Sequence, residues 1–307
     1  MENGMRLSDV SAGILYMLAS SLVFAFMNAF AKILAEHIPS MENVFFRSLV
    51  MLLVMLAVYA YGSSRHKPRV QHAKGGWWHL LVRVGLGGIA MACLFYNIAT
   101  IPLVTAMAFM QSTPLYVAFF SVVFLKERLS MSTITATIIG FVGILLIGNP
   151  SLSGISWLNI VLGICNGSFA AIAFVTLRSL KQYFDNSFII LAFGASTTII
   201  GAFGILLPLE GIGGFVLPVG IEWLYIVLMG LCGTIAQYFL NLAYMNAPAG
   251  IVAPVDYSRI LFSMTLGIML GDSLPNLPTT CGILLIIAAG LLIATPTLLK
   301  DLRRLRR

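Results

Sequence analysis

The chain has 307 residues, of which 59% are hydrophobic and 9% charged, and its mean hydropathy is +0.97. A water-soluble domain of this size usually has about 25% charged residues, so this composition excludes a soluble globular protein and predicts an integral membrane protein. The formal net charge is +7. The basic residues stand near the ends of the apolar segments, a pattern that indicates membrane topology and not nucleic-acid binding.

Ten apolar segments predict ten membrane-spanning helices, because about 20 helical residues cross the hydrocarbon core of a bilayer. No interval between the segments is long enough for a soluble domain. The first segment follows Arg6 as a signal peptide would, but its length and the lack of a small-x-small cleavage site predict a spanning helix. In chain order the segments are 12–34, 44–61, 77–99, 104–125, 134–147, 157–177, 187–207, 223–245, 251–270 and 279–298.

The four cysteines stand singly in apolar segments, without C-x-x-C spacing and without histidine partners. This pattern predicts neither a metal site nor a disulfide framework, and nothing else in the sequence indicates a cofactor. The residues are Cys93, Cys165, Cys232 and Cys281.

Basic residues are concentrated at alternate ends of the segments, which places them on one side of the membrane. The positive-inside rule then predicts that both termini are cytoplasmic. We expect the membrane to be a bacterial inner membrane. The basic C-terminal tail is a candidate contact for anionic membrane lipid. The orientation rests on Arg6, Arg65, Lys67, Arg69, Lys74, Arg83, Lys126, Arg128, Arg178, Lys181, Lys300, Arg303, Arg304, Arg306 and Arg307.

The two halves of the chain match each other at a separation of about 145 residues. A unit of five helices crosses the membrane an odd number of times, so its copy enters from the opposite side. The expected fold is therefore all-α, with two inverted five-helix repeats at 1–150 and 151–307. The matched residues include Asn97 with Asn241, Gln111 with Asp256, Glu127 with Asp272 and Lys32 with Arg178.

Short sequence elements in segments 2, 4 and 9 resemble those of a known family. They are Phe45-Phe46-Arg47, then Gln111-Ser112-Thr113-Pro114 followed by Phe124-Leu125-Lys126-Glu127-Arg128-Leu129-Ser130, and Pro254-Val255-Asp256-Tyr257-Ser258-Arg259. With the ten segments, these elements resemble the EamA branch of the drug/metabolite transporter (DMT) superfamily over nearly the whole chain. The second-half counterpart of the Glu127 element departs from the pattern, as Leu270-Gly271-Asp272.

The resemblance implies a particular architecture. It implies ten helices in two inverted halves, a central cavity lined mainly by helices 1, 3, 4, 6, 8 and 9, and transport by alternating access. It does not name the substrate, because the branch handles amino acids, nucleotide-like metabolites, vitamins and other small organic molecules.

Inserting an ionisable side chain at the centre of a spanning helix costs about 2.5 to 3.5 kcal/mol of free energy, so such a side chain faces protein or water. Asp256 and Arg259 stand inside segment 9 and are therefore expected to face inward. Their i, i+3 spacing places them on one helix face, where they can form an ion pair. Pro254 is expected to bend or break the helix just before them. In one interpretation Arg259 binds a substrate carboxylate or phosphate, and Asp256 orients it or carries a proton. In the other, the pair only locks helix 9 to a neighbour.

Further candidate site residues lie on helices 1, 2, 3, 4, 6, 8 and 9. Arg47, about two turns inside helix 2, is a candidate second contact for an anion, and the alternative is snorkelling or pairing with Glu36 or Glu42. For the uncharged residues, interhelical hydrogen bonding and core packing are the alternatives to lining a cavity. The polar candidates are Asn28, Tyr96, Asn97, Gln111, Asn166, Gln237, Tyr238, Asn241 and Tyr244, and the aromatic ones are Phe24, Phe109 and Tyr257.

These features predict a secondary transporter of a small polar or zwitterionic metabolite, such as an amino acid or a nucleoside-like or vitamin-like compound. A proton is the candidate coupling ion, and ATP is not expected, since the sequence has no Walker motif. An integral-membrane enzyme and a channel are the alternatives. The four histidines offer no catalytic cluster and no filter motif is present, so we expect neither enzymatic activity nor a nucleic-acid partner.

Overall fold

The computed structural model describes residues 9–64, 75–101, 103–148, 155–207, 213–269 and 277–305. The described chain is all-α and contains ten helices, as the ten apolar segments predict. They are helix 1 (Asp9–Leu34), helix 2 (Ser40–Ser64), helix 3 (Trp77–Thr100), helix 4 (Leu103–Gln111 and Thr113–Leu125), helix 5 (Met131–Gly148), helix 6 (Trp157–Leu180), helix 7 (Asn186–Ile205), helix 8 (Glu222–Asn246), helix 9 (Ala249–Val252, the 3-10 segment Ala253–Tyr257, and Ser258–Met269) and helix 10 (Leu277–Leu305).

Helices 1–4 and 6–8 are each long and apolar enough to cross a membrane, and helices 5 and 10 contain shorter apolar stretches. Large apolar side chains on the outside of the bundle are exposed, among them Leu53, Phe119 and Phe203. In water, burying such a side chain would be worth about 1.5 to 3 kcal/mol, so their exposure indicates a surface that faces lipid. Asp272 and the basic residues within 65–74 lie outside the described residues.

The most extensive helix contacts join the first five helices to the last five. They are the pairs 1 with 8, 2 with 7, 3 with 6 and 5 with 10. Helix 4 also packs on helix 6, and helix 9 packs on helix 1. The centre of the bundle is therefore built from side chains of both halves of the chain.

Helix 4 is interrupted at Ser112, close to Pro114. Proline has no backbone N–H and its ring clashes with the carbonyl four residues earlier, so the helix cannot continue regularly through it. Hydroxyl groups satisfy the carbonyl oxygens next to the break, since Ser112 Oγ donates to Phe109 O and Thr113 Oγ1 donates to Met110 O, both at 2.6 Å. Such partners make an interruption tolerable at membrane depth.

Helix 9 is interrupted near Pro254, where its sequence predicts a break. The short turn Ala249–Val252 leads into the 3-10 segment Ala253–Tyr257, and regular helix resumes directly afterwards. Asp256 consequently lies in the tighter 3-10 winding and Arg259 in the regular helix. The backbone irregularity and the two charged residues thus occupy the same part of the fold.

Helices 2 and 7 approach so closely that only glycine fits at their contact. A Cβ atom added to Gly201 would lie 2.8 Å from the backbone N and Cα of Phe45. Helices 5 and 10 meet in a similar way, because a Cβ atom at Gly143 would lie 2.7 Å from the carbonyl oxygen of Gly282. Small residues of this kind let membrane helices pack backbone against backbone.

Gly201→Ala is expected to destabilise the protein by about 1–3 kcal/mol, because the added methyl group meets backbone atoms that cannot rotate away. Gly85→Ala is the matched control, since a Cβ atom there meets no atom within 4 Å and alanine favours a helix. Thermal unfolding of both purified variants in detergent measures the difference. Equal stability of the two variants would contradict the close packing of helices 2 and 7.

Candidate functional site

Asp256 and Arg259 of helix 9 form an ion pair. Arg259 Nη2 donates to both carboxylate oxygens at 2.8 Å, and Nε donates to Oδ1 at 3.2 Å. The Arg259 and Asp256 side chains are 14% and 15% exposed. The pair is therefore largely enclosed by protein, and a small part of each side chain stays accessible.

Helix 1 provides the surroundings of this ion pair. Ser21 Oγ donates to Asp256 Oδ1 at 2.8 Å, and the guanidinium of Arg259 lies 4.2 Å from the centroid of the Phe24 ring. Ser21 and Phe24 are three residues apart and so share one face of helix 1. The predicted wall residue Phe24 thus contacts the arginine directly, an interaction worth about 0.5 to 2 kcal/mol.

Arg47 of helix 2 reaches into the same region. Its Nη1 lies 3.8 Å from the sulfur of Met27, and its aliphatic stem passes Gly233 of helix 8, where an added Cβ atom would be 3.5 Å from Cγ. Met27 and Phe24, the ring that contacts Arg259, are three residues apart on helix 1, so Arg47 and Arg259 face the same side of that helix. Arg47 Nε is buried and has no hydrogen-bond partner among the described residues. Arg47 therefore points between helices 1 and 8 and does not extend to the outer surface.

Among the described residues, neither Glu36 nor Glu42, the two predicted alternative partners of Arg47, forms an ion pair with it. Glu42 is fully buried, and its Oε2 accepts a hydrogen bond from the backbone N–H of Val216 at 2.8 Å. Glu36 is exposed beyond the end of helix 1. Among the described residues, Arg47 has no carboxylate partner.

Arg83 of helix 3, which the sequence grouped with the basic residues of the cytoplasmic side, is a buried charge. The side chain is 1% exposed, and its guanidinium lies 5.5 Å from the centroid of the Phe174 ring and 4.4 Å from that of Phe193. No described residue forms a hydrogen bond with its Nε or Nη2. Helix 3 begins at Trp77, so Arg83 lies about 9 Å inside it at 1.5 Å per residue, a depth that counting along the sequence would have revealed.

Tyr244 of helix 8 connects Arg83 with the ion pair of helix 9. It is 2% exposed, and its ring stacks at 5.2 Å on Phe174, the ring that also faces Arg83. Helix 8, which carries Tyr244, and helix 9, which carries the ion pair, both pack on helix 1, and the charges of Asp256, Arg259 and Arg83 act on the tyrosine, so these groups share one region of the interior. We call this region the central charge cluster, and it consists of Arg47, Arg83, Tyr244, Asp256 and Arg259.

Two of the predicted polar residues form hydrogen bonds between helices. Asn97 Nδ2 donates to the carbonyl oxygen of Asn159 at 3.0 Å, and Asn166 Nδ2 donates to that of Ala90 at 2.7 Å. Both bonds join helix 3 to helix 6. This is the ordinary structural use of such residues in membrane proteins, and it accounts for the burial of both side chains.

Three other predicted polar residues, Gln111, Gln237 and Asn241, are buried in helices 4 and 8. Gln237 Nε2 donates to Asn241 Oδ1 at 2.9 Å within helix 8. Gln111 Nε2 and Asn241 Nδ2 have no acceptor among the residues that the structure describes. A buried donor left in this state costs about 1–3 kcal/mol, so these two amides are candidates for contact with a ligand.

The remaining predicted residues have varied surroundings. Tyr257 is 1% exposed and packs against helix 5, where its hydroxyl donates to the carbonyl oxygen of Thr137 at 3.2 Å. Its ring therefore contributes mainly to helix packing and less to the wall of a cavity. Phe109, Asn28 and Tyr96 are half-buried, and Tyr238 is exposed.

A second polar cluster joins the two halves of the chain after helix 4. Glu127 accepts a hydrogen bond from Arg178 Nη1 at 3.1 Å, and from the backbone N–H groups of Ala249 and Gly250 at 3.3 and 3.4 Å. These contacts connect the end of helix 4 to helix 6 and to the start of helix 9. An open pocket of about 420 Å³ beside them is distinct from the central charge cluster and is lined by Leu125, Glu127, Arg178, Ser179, Lys181 and Gln182.

The sequence is similar to transporters over almost its whole length. Residues 11–149 match the EamA-like transporter family. A protein described as an uncharacterized transporter of Helicobacter pylori is 42% identical over 294 residues, covering 95% of this chain and 98% of that protein. The pseudopaline exporter CntI of Pseudomonas aeruginosa is 31% identical over 287 residues, covering 93% and 96%. A riboflavin transporter of Rhizobium johnstonii is 25% identical over 298 residues, covering 93% and 92%.

The fold also occurs among solved structures. One crystal structure, described only as that of a protein, matches with a TM-score of 0.79 at 17% sequence identity, covering 97% of this chain and 99% of the other. At this level of identity the likeness concerns the fold alone.

Asp256→Asn is expected to lower the thermal stability, because it leaves Arg259 without its carboxylate partner. Breaking a buried pair costs about 3–5 kcal/mol, and partial exposure of both side chains should make the loss smaller here. Adding Arg259→Gln should restore part of the loss by removing the uncompensated charge. A double-mutant cycle of unfolding midpoints measures this coupling, and simple additivity of the two effects would contradict it.

Proposed function

Because the chain belongs to the EamA-like transporter family, we propose that it is a secondary transporter that moves a small polar organic metabolite across a bacterial inner membrane by alternating access. The observation that carries this proposal is the Asp256–Arg259 pair, held against helix 1 and still accessible. Charged groups inside a membrane protein mark substrate and ion pathways. An amino acid or a nucleoside-like or vitamin-like compound is the expected kind of substrate.

The relatives support a small organic substrate. The pseudopaline exporter and the riboflavin transporter are each similar to this chain over 93% of its length. Their different substrates illustrate that a shared fold does not determine the substrate, which depends on the groups at the site. The chemistry of the central charge cluster is therefore the basis for choosing among substrates.

We also propose that the ten helices form two inverted five-helix repeats, at 1–150 and 151–307. If helices 1–5 are exchanged with helices 6–10, the pair 1 with 8 becomes 6 with 3, while 2 with 7 and 5 with 10 map onto themselves. All of these pairs make extensive contacts. Helices 4 and 9 are equivalent in this scheme, and both are interrupted beside a proline. Broken helices at the interface of inverted halves form the substrate sites of many secondary transporters.

The hydrogen bonds of Arg259 leave it able to bind an anion. Asp256 occupies Nε and Nη2, whereas Nη1 forms no hydrogen bond with any described residue. A planar guanidinium can bind a substrate carboxylate at its free edge while Asp256 holds the rest of the group in place. Protonation of Asp256 would weaken its hydrogen bonds with both Arg259 and Ser21. Proton binding would therefore affect the substrate site and its contact with helix 1.

The cluster around Glu127 provides a contact that the transport cycle must break. With both termini in the cytoplasm, as the basic residues indicate, Glu127 and Arg178 lie on the cytoplasmic side. Their ion pair, and the bonds from Glu127 to the start of helix 9, hold the two halves together there. Opening of the site towards the cytoplasm requires these contacts to separate.

Proteoliposomes that contain the protein are expected to show saturable counterflow of a substrate identified by thermal-shift screening with amino acids, nucleosides and vitamins. Arg259→Lys should reduce the counterflow by about tenfold or more, although the charge is kept, because an ammonium group cannot hold Asp256 and a carboxylate with one planar fork. Arg128→Lys, at an exposed position, is the control. Flux without saturation or counterflow would indicate a channel, and unchanged counterflow in Arg259→Lys would remove this residue from the site.

Asp256→Asn is expected to abolish transport driven by a proton gradient and to reduce counterflow much less, because the amide cannot take up the coupling proton. Both rates can be measured in the same proteoliposome preparation, with the amount of folded protein as the reference. An equal loss of the two rates would show that Asp256 only orients Arg259.

A further inference from the structure

The central charge cluster has more positive than negative charge. Arg47, Arg83 and Arg259 contribute three guanidinium groups, whereas Asp256 contributes one carboxylate, which is already bound to Arg259. An arginine cannot lose its proton to escape burial, since its pKa is far above the physiological range. Two positive charges in the interior therefore lack a counter-charge among the described residues.

The sequence places no other acid in the middle of a predicted span. The chain has 11 acidic residues, and Asp256 is the one that stands in the middle of a predicted span. The others stand at helix ends, between helices or in the terminal segments. Glu42 and Glu222, for example, are in the first turns of helices 2 and 8, where they bind the N–H groups of Val216 and Val219.

The aromatic rings around Arg83 compensate only part of the cost of its burial. A cation–π contact is worth about 0.5 to 2 kcal/mol, whereas removing an ion from water costs several kcal/mol even in a relaxed protein interior. Phe174 and Phe193 also offer no acceptor to Nε and Nη2, which are buried without partners. A negatively charged group bound at Arg83 would supply both the charge and the acceptors.

The unpaired polar atoms around the cluster also favour an anion. Within the part of the chain that the structure describes, Arg47 Nε, Arg83 Nε and Nη2, and Asn241 Nδ2 are all N–H donors without an acceptor. Asn241 precedes Tyr244 by three residues and so lies on the same face of helix 8. A ligand that satisfies these atoms must provide several acceptor oxygens, as carboxylates do.

The three arginines are arranged as two positive sites. Arg47 contacts Met27 and Arg259 contacts Phe24, and these two helix 1 residues are three apart on one face of the helix. Arg83 lies instead against Phe174 and Phe193, on helices 6 and 7. An elongated molecule with an anionic group at each end would contact both sites.

We propose that the substrate is an organic anion with at least two carboxylates, one bound by Arg47 and Arg259 and the other bound by Arg83. This inference rests on the proposed transport function and specifies its substrate class. The bound substrate neutralises the two excess charges, so the cluster is stabilised only when it is occupied. Arg83 is then a binding residue and not a structural one.

The test compares the thermal unfolding of purified wild-type protein, Arg83→Met and the control Arg128→Met. Each is titrated at constant ionic strength with butyrate, succinate, glutarate, adipate, methyl phosphate and sulfate. The dicarboxylates should stabilise the wild type and the control more strongly than butyrate does. Arg83→Met should raise the apparent dissociation constant for the best dicarboxylate by about 10- to 100-fold, the loss expected for one charge-assisted contact. Without ligand, Arg83→Met should unfold at a higher temperature than the wild type, because a buried uncompensated charge has been removed.

Other outcomes of the titration overturn the proposal. If butyrate stabilises the wild type as strongly as the dicarboxylates, or none of them stabilises it, the cluster does not select two carboxylates. If methyl phosphate or sulfate binds more tightly than every dicarboxylate, the site takes a single compact dianion. If Arg83→Met unfolds earlier than the wild type and retains the full response to dicarboxylates, Arg83 is a structural residue.

Transport measurements separate this inference from the proposed function. Counterflow of a neutral or monoanionic compound, with no preference for dicarboxylates, would leave the transporter assignment intact and refute the substrate class. Dicarboxylate binding that depends on Arg83, without any counterflow of the bound compound, would support the anion site and refute the carrier.

Discussion

The interior of this protein is organised around the cost of keeping arginine side chains away from water. A guanidinium inside a membrane protein needs a counter-charge, hydrogen-bond acceptors or aromatic faces, and each arginine of the central charge cluster has only part of that set. Arg259 has Asp256 and the Phe24 ring. Arg83 has two rings and Arg47 has a methionine sulfur, which are weaker partners. In the proposed function, an anionic substrate would relieve this residual cost on binding.

The backbone near the cluster meets a related constraint, because every N–H and C=O group at membrane depth needs a partner. Prolines interrupt helices 4 and 9, and hydroxyl side chains satisfy the carbonyl oxygens next to the break in helix 4. The cluster itself draws residues from helices 2 and 3 of the first half and from helices 8 and 9 of the second. In the proposed transport cycle, relative movement of the halves would change the distances between these charges, so substrate binding and conformational change would act on the same groups.

Much of this arrangement could be predicted from the sequence. The number of helices follows from hydropathy, since a polar backbone can cross a bilayer only as a helix of a certain length. The break at Pro254 follows from the chemistry of proline. The pairing of Asp256 with Arg259 follows from their i, i+3 spacing within one apolar segment, because neither charge can face lipid. These are local properties, and neighbouring residues along the chain are enough to determine them.

Tertiary structure alone decided which way the other side chains point. The spans are apolar on all sides, so periodicity does not distinguish a face that packs on another helix from a face in contact with lipid. For this reason Asn97 and Asn166, which by type could line a cavity, instead join helices 3 and 6. Arg83, grouped by sequence with the cytoplasmic basic residues, lies instead between two phenylalanines from helices 6 and 7. Composition and spacing determined the spans and the helix 9 ion pair, and the packing of distant helices determined the charge cluster around it.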